Sequence, residues 1–176
     1  MIIHCTHCGH QLGHEKWPRK CPRCDEFNYN SPKPVVNMVI RAWDPEQQRT
    51  GTIAIKRGIE PFKDGWAFPG GYIDHNEDWK VAAAREAKEE LSLDIDPEDI
   101  TLLQMVSKSN LLVIFATCVD RTFQPEDWAD FDMTKGLNDQ GQQEVLDIKV
   151  IHAEFDLSIP VHDDFWKDHC RRTHHG

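Results

Sequence analysis

The chain has 176 residues, enough for one domain of ordinary size and a small accessory module. Its formal net charge of −10 at pH 7 argues against binding through a basic surface, so nucleic acid is an unlikely partner. Neither end carries an apolar run long enough to cross a membrane, and the N-terminus lacks a signal-peptide pattern, so we expect a cytoplasmic protein with no membrane partner.

Four of the six cysteines form two C-x-x-C pairs, Cys5 with Cys8 and Cys21 with Cys24, separated by twelve residues. This spacing predicts a tetrahedral Cys₄ zinc site, and four protein ligands would make the zinc structural. Two disulfides are the alternative, although nothing in the sequence indicates secretion. Histidines nearby leave a second alternative, in which an imidazole replaces one thiolate: His4, His7, His10 and His14.

The zinc ribbon is predicted over residues 1–31. So short a segment cannot bury a core of its own, and we expect it to need the metal to fold. A proline-rich connector follows, and the second domain is predicted over 34–172. Its predicted strands lie at 35–40, 52–56, 100–106, 111–119 and 145–151, with a turn over 44–51, a polar surface excursion over 124–143 and a terminal helix over 163–172. This succession predicts an α/β fold with a mixed sheet.

A predicted helix over 77–91 carries three carboxylates. At about 100° per residue, Glu86, Glu89 and Glu90 fall within an arc of about 100°. The residues roughly opposite, which we expect to enter the core, are Ala84, Ala87 and Leu91. Like charges this close repel one another, and Mg²⁺ or Mn²⁺ would suit their oxygen atoms. A solvated, charge-rich helix face is the alternative.

The residues before this helix complete a longer motif. Gly70 and Gly71 form the kind of turn that lets a backbone pass close to a ligand, which makes them substrate-binding candidates. Glu77 lies six residues after Gly71, and Arg85 directly precedes Glu86. Residues 71–93 therefore resemble the Nudix box: a glycine, five residues, a glutamate, seven residues, then Arg-Glu-apolar-x-Glu-Glu-x-Gly-apolar.

One position of the box differs, because Ser92 stands where the family has its last glycine. We expect a left-handed backbone there, at a cost of about 1 kcal/mol for serine. No metal ligand is lost by this change.

The resemblance implies the Nudix α/β/α sandwich after the zinc ribbon. It implies that Glu86, Glu89 and Glu90 hold Mg²⁺ or Mn²⁺, and that a downstream carboxylate such as Glu144 acts as a further ligand or as general base. The catalytic candidates are accordingly Glu89, Glu90 and Glu144. The alternative for Glu144 and the nearby Asp147 is a pair of solvated acids.

Other site residues follow from the same resemblance. Glu77 and Arg85 would orient the loop through an ion pair, although Glu77 could instead be a peripheral metal ligand. Arg57 would contact a substrate phosphate, with solvent exposure as the alternative. Trp66 and Phe68 are more simply core residues than partners for a stacked base.

The zinc module with the box is similar to zinc-ribbon Nudix hydrolases such as FAD and ADP-ribose pyrophosphatases, and more distantly to NADH pyrophosphatases. No Ser-Gln-Pro-Trp signature follows Leu93, and Lys108 and Ser109 stand where one ADP-ribose group carries a proline. The expected function is therefore metal-dependent hydrolysis of a nucleoside diphosphate linked to another moiety, releasing a nucleoside monophosphate. A nucleotide-sensing regulator and an RNA cap-removing hydrolase are alternatives, and a homodimer is common among relatives.

Overall fold

The computed structural model describes residues 3–13, 16–119, 121–128 and 141–173. Contacts between residues separate two compact units, which span 1–33 and 34–176. Among the described residues, neither α-helix is long and apolar enough to cross a membrane.

The smaller unit contains two short antiparallel hairpins. Strand β1 (Ile3–His4) pairs with β2 (Gln11–Leu12), and β3 (Arg19–Lys20) pairs with β4 (Phe27–Asn28). The buried core of its described residues consists of Cys5, Leu12 and Cys21. A core this small cannot stabilise about thirty residues by apolar burial alone. Two of its three members are cysteines, which indicates that a bound metal supplies the missing stability.

The rest of the chain contains the remaining strands and two α-helices. The strands are β5 (Lys33–Met38), β6 (Arg41–Asp44), β7 (Arg49–Arg57), β8 (Trp66–Ala67), β9 (Gly70–Tyr72), β10 (Ile100–Lys108), β11 (Leu111–Cys118) and β12 (Val145–Ile151). The helices are α1 (Trp79–Leu91) and α2 (Pro160–Thr173). The strands form two sheets in the orders β10-β11-β5-β9 and β12-β7-β6, with β8 paired to β7.

The two helices cover opposite faces of the sheets. Met38 enters an apolar cluster that includes Leu91 of α1, whereas the next residue, Val39, enters a second cluster that includes Trp166 of α2. Successive side chains of an extended backbone point to opposite faces, so this stretch of chain contributes side chains to the apolar clusters on both sides of the sheets. The predicted α/β sandwich is confirmed.

The β6–β7 hairpin is where the predicted elements differ most from the structure. The sequence predicts a turn over 44–51, whereas the turn is confined to 45–48 and β6 precedes it. Asp44 Oδ1 accepts hydrogen bonds from the N–H groups of Glu46 and Gln47, at 2.9 and 3.1 Å, and so closes a tight turn. Of the excursion predicted over 124–143, residues 129–140 lie outside the described residues.

Candidate active site and zinc site

Two glycines let the β8–β9 turn approach its neighbours closely. Gly70 has a φ of +143°, and a Cβ at this position would overlap the Val36 carbonyl of β5. A Cβ at Gly71 would overlap the carboxylate of Glu86. Only glycine fits either position without displacing a strand or that carboxylate.

Helix α1 is bounded by two local signals. Asp78 caps its start, where the carboxylate accepts a hydrogen bond from Lys80 N–H at 2.9 Å, so the helix begins two residues later than predicted. Ser92 follows its end in the left-handed conformation, with φ 59° and ψ 20°. Ser92 N–H donates to the Lys88 carbonyl and Leu93 N–H to the Ala87 carbonyl, at 3.0 and 3.2 Å. The predicted left-handed serine is confirmed.

The buried face of α1 differs from the one predicted. Ala87 and Leu91 are fully buried as expected and Ala84 is half-buried, but Ala82 and Ala83, which lie outside the set expected in the core, are fully buried too. Glu86 and Glu90 project from this same buried face, at 8% and 6% exposure, because the glycine turn covers them. The prediction that the core-facing side lies opposite the carboxylates is therefore wrong for these two residues.

Glu89 lies in a more exposed environment than the other two glutamates. Its side chain is 57% exposed, and it accepts a hydrogen bond from Arg85 Nη1 at 3.2 Å. Among the described residues, no three carboxylates bring their oxygen atoms within 4.8 Å of one another. The structure thus presents a buried pair, Glu86 with Glu90, and an exposed neighbour.

The buried pair carries more negative charge than its surroundings neutralise. Burial raises the pKa of Glu90 well above its usual range, and the negative charge of Glu86 raises it further. The hydrogen bond from Gly70 N–H to Glu90 Oε2, at 2.7 Å, acts in the opposite direction and only partly offsets these effects. Burial likewise raises the pKa of Glu86 to about 6, even though Arg85 Nη1 donates to its Oε1 at 2.8 Å. A divalent cation with oxygen ligands fits this pair, because it would offset both the desolvation and the repulsion.

Arg85 ties the loop before α1 to the helix. Its Nε and Nη2 donate to the two carboxylate oxygens of Glu77, at 2.9 and 3.0 Å, and Nη2 also donates to the Tyr72 carbonyl at 3.0 Å. The hydrogen bonds from Arg85 hold the pKa of Glu77 below its usual range. Because both oxygens of Glu77 are engaged, this geometry favours loop orientation over metal ligation for that residue.

Glu144 and Arg57 lie close to the buried pair. Glu144 is half-buried, its carbonyl accepts a hydrogen bond from Gly58 N–H at 2.7 Å, and its charge contributes to the raised pKa of both Glu86 and Glu90. Arg57 ends β7 and acts in the opposite sense on the pKa of Glu90.

The solvated alternative applies to Asp147, which is exposed and accepts a hydrogen bond from Ile148 N–H. Phe68 is 1% exposed and packs among aromatic rings, so it is a core residue, as favoured. Trp66 is half-buried, and Lys149 Nζ lies 4.0 Å from the centroid of its ring. Neither ring therefore presents an open face on which a nucleotide base could stack.

One residue near the site was not found from the sequence. His162 of α2 is buried, and its Nδ1 accepts a hydrogen bond from the N–H of Phe68, two residues before Gly70. A lone histidine among acidic residues at a helix start carries no motif, so no signal in the sequence distinguished it.

The four cysteines of the small unit converge. Their sulfur atoms all lie within 4.8 Å of one another, with Cys5 and Cys24 at 3.6 Å and Cys8 and Cys21 also at 3.6 Å. Ligands about 2.3 Å from a tetrahedral zinc would be separated by about 3.8 Å, whereas a disulfide requires about 2.05 Å. The arrangement fits Zn²⁺ and is incompatible with the disulfide alternative.

The two knuckles share one hydrogen-bonding pattern. Cys5 N–H donates to the His10 carbonyl and Cys21 N–H to the Glu26 carbonyl, both at 2.8 Å. In the part of the chain that the structure describes, the four cysteines are the only group whose ligand atoms converge, and no histidine joins them. His14 lies outside the described residues.

Comparison with known proteins identifies the class of the larger unit. The family model described as the NUDIX domain matches residues 32–144, which is more than half of the chain. The chain therefore belongs to the Nudix family. The expected Nudix fold is confirmed, and so, at the level of the family, is the expectation of a Nudix pyrophosphatase.

Solved structures show the same fold at low sequence identity. The NUDIX hydrolase from Nitrosomonas europaea is 23% identical with a TM-score of 0.64, and the match covers 98% of this chain and 93% of that one. The NUDIX domain of Shewanella oneidensis NrtR, complexed with ADP ribose, is 16% identical with a TM-score of 0.57, over 81% and 89% of the two chains.

A MutT/nudix family protein from Enterococcus faecalis is 20% identical with a TM-score of 0.53. That match covers 70% of this chain but only 44% of the Enterococcus protein. No curated protein matches the sequence.

Proposed function

We propose that the protein is a metal-dependent hydrolase that cleaves the diphosphate bond of a nucleoside diphosphate linked to another moiety, such as ADP-ribose, FAD or a similar dinucleotide. One product is a nucleoside monophosphate. The observation that carries this proposal is the buried, under-neutralised pair Glu86 and Glu90 beneath the glycine turn of a Nudix domain. A purely structural helix would gain nothing from burying two carboxylates side by side.

The residues that would hold Mg²⁺ or Mn²⁺ are Glu86 and Glu90, with Glu89 and Glu144 at the edge of the pair. When bound, such an ion neutralises phosphate charge and lowers the pKa of a water molecule. Gly70 N–H fixes one oxygen of Glu90 and leaves the other available. The Arg85 bond to Glu77 keeps the loop before α1 in place beside the pair.

Glu144 is our preferred general base. Its half-buried position and its electrostatic influence on the pKa of both Glu86 and Glu90 support this role. Glu89 is the second candidate, but its side chain is 57% exposed and accepts a hydrogen bond from Arg85 Nη1 at 3.2 Å, so it is engaged outside the buried pair. Arg57 is proposed to contact a substrate phosphate, because its positive charge lies near the carboxylate pair.

The zinc ribbon, residues 1–31, is proposed to hold a structural Zn²⁺ on Cys5, Cys8, Cys21 and Cys24 ahead of the Nudix hydrolase domain, residues 34–172. Four thiolates fill the tetrahedral shell, so that ion has no open position for chemistry. This arrangement supports assignment to the zinc-ribbon subgroup of the family, with a nucleotide-type small molecule as the ligand.

A second candidate function is nucleotide sensing without turnover. The likeness to a Nudix domain that binds ADP ribose favours it, and a longer NrtR chain has been solved with a 27mer DNA. The retained carboxylate pair argues for hydrolysis, because a sensor has no need of a site built for divalent cations.

A substrate panel distinguishes these functions. FAD, ADP-ribose, NADH, diadenosine polyphosphates and nucleoside triphosphates are incubated with the zinc-loaded protein in Mg²⁺ or Mn²⁺, and products are identified by mass spectrometry. We expect a nucleoside monophosphate from at least one diphosphate-linked substrate and none after chelation of the divalent ion. Tight ADP-ribose binding with no product in either metal would establish the sensing function instead.

A further inference from the structure

His162 lies on the face of α2 that packs against the sheet. It is 5% exposed, and its ring stacks on Phe68 with centroids 5.6 Å apart and an interplanar angle of 25°. It also lies nearly perpendicular to the ring of Phe115, with centroids 5.7 Å apart and an interplanar angle of 78°. An imidazole between two phenyl rings needs a polar partner to offset its burial.

That partner is the backbone of Phe68. Phe68 N–H donates to His162 Nδ1 at 3.2 Å. Burial lowers the pKa of His162 to about 3, and the positive charge of Arg57 acts in the same direction, so the ring is neutral in the physiological range. A neutral imidazole that accepts at Nδ1 carries its proton on Nε2, which defines one tautomer.

The bonded amide lies two residues before Gly70, whose N–H contacts the carboxylate pair. Pro69 has no N–H, and its carbonyl accepts from Met38 N–H at 2.8 Å. Gly70 N–H then donates to Glu90 Oε2 at 2.7 Å. Three successive residues of the turn are thus each fixed by a bond to a different element: Phe68 to α2, Pro69 to β5 and Gly70 to α1.

We propose that His162 is a positioning residue for Glu90: its Nδ1 holds the Phe68 amide so that Gly70 N–H stays aimed at the Glu90 carboxylate. The imidazole touches neither substrate nor metal in this account. Its kinetic consequence rests on the proposed hydrolase function, whereas its effect on the turn does not.

Two variants separate the hydrogen bond from the packing. His162→Asn places an amide oxygen at about the position of Nδ1, whereas His162→Leu fills the space without an acceptor. Both are measured as full-length, zinc-loaded protein after far-UV circular dichroism has shown the native helix content. Hydrogen exchange of the Phe68 and Gly70 amides reports the turn directly, and kcat and KM report its effect on hydrolysis.

We expect exchange of the Phe68 amide to become about tenfold faster in His162→Leu, and to return to within about threefold of wild type in His162→Asn. The kcat should fall about tenfold in the leucine variant, with KM within about twofold, and recover in the asparagine variant. Equal exchange and equal kcat in the two variants would reduce His162 to a packing residue and overturn the proposal.

The wild-type protein supplies a test that needs no variant. The ¹⁵N NMR signals of the His162 ring between pH 6 and 8 should show an unprotonated Nδ1 and a protonated Nε2. The opposite tautomer, or a charged ring, would refute the proposal even if the leucine variant failed to fold. If the wild type has no hydrolytic activity, the proposed function fails, but the exchange rates and the tautomer still decide the role of His162.

Discussion

The raised pKa of Glu86 makes the stability of the protein depend on pH in an unusual direction. A carboxyl whose pKa is raised by folding binds its proton more tightly in the native state than in the unfolded state. Its stabilising contribution is therefore fully present below pH 4.5, the ordinary value, and is lost as the pH rises through about 6. Glu90, whose pKa is raised as well, adds to the loss.

The size of the effect follows from the two pKa values of Glu86. An increase from 4.5 to about 6 corresponds to about 2 kcal/mol of unfolding free energy. The side chain is 11% exposed, so solvent screens little of this energy. For a domain of this size, about 2 kcal/mol is equivalent to roughly 4–8 °C in melting temperature.

Glu86→Gln isolates this contribution, since glutamine keeps the shape of the side chain and cannot ionise. Urea unfolding of wild type and variant is followed from pH 4.5 to 7.5, with zinc present and Mg²⁺ absent. Because both proteins carry the same cysteines and the same acids away from the pair, those titrations cancel in the difference. Loss of the Glu86 charge also removes one cause of the raised pKa of Glu90, which acts in the same direction. We expect the variant to gain about 2 kcal/mol relative to wild type as the pH rises.

Adding Mn²⁺ at pH 7.5 should stabilise the wild type and leave the variant nearly unchanged, because the ion binds the ionised pair. A wild-type-to-variant difference that stays constant from pH 4.5 to 7.5 would show that Glu86 titrates normally. The charge of Glu86 would then already be neutralised by its surroundings, and the reasoning behind the cation site would be refuted.

Three further predictions concern the motif and the ribbon. Ser92→Gly should raise the unfolding free energy by about 1 kcal/mol in urea titrations, because glycine adopts φ 59° without strain; a loss of stability would contradict the capping role. Gly71→Ala should lower hydrolysis by at least about tenfold while circular dichroism stays native, because a Cβ displaces the Glu86 carboxylate, and unchanged activity would show that the close approach is dispensable. Cys21→Ser should lose the zinc measured by atomic emission and unfold the ribbon, whereas retention of one zinc per chain would point to a different ligand set.

Local signals in the sequence predicted local structure well. Strand β12 has its predicted bounds, Val145–Ile151, and Ser92 adopts the left-handed conformation that its position in the motif requires. Both depend on short stretches of chain in which alternation or a cap decides the backbone. The cysteine spacing likewise predicted the convergence of four sulfur atoms, because two identical knuckles leave little freedom in how they pair.

The depth of the carboxylates could not be predicted in this way. A helical projection treats Glu86 and Glu90 as a polar face and places the core opposite, yet the β8–β9 turn folds over them. That turn approaches Glu86 of α1 because Gly71 lacks a side chain, and it approaches β5 because Gly70 does, which is a tertiary effect. His162 was hidden for a related reason, since its partner is a backbone amide 94 residues earlier in the chain.

The most direct test of the central claim compares two glutamates of the same helix, one buried and one exposed. Hydrolysis of a diphosphate-linked nucleotide is measured by ³¹P NMR at saturating Mg²⁺ for Glu90→Gln and Glu89→Gln, with the exposed Glu98→Gln as control. We predict a loss of at least about 100-fold in kcat for Glu90→Gln, a much smaller loss for Glu89→Gln and none for the control. Wild-type turnover in Glu90→Gln would contradict the assignment of the buried pair as the site of divalent-cation chemistry.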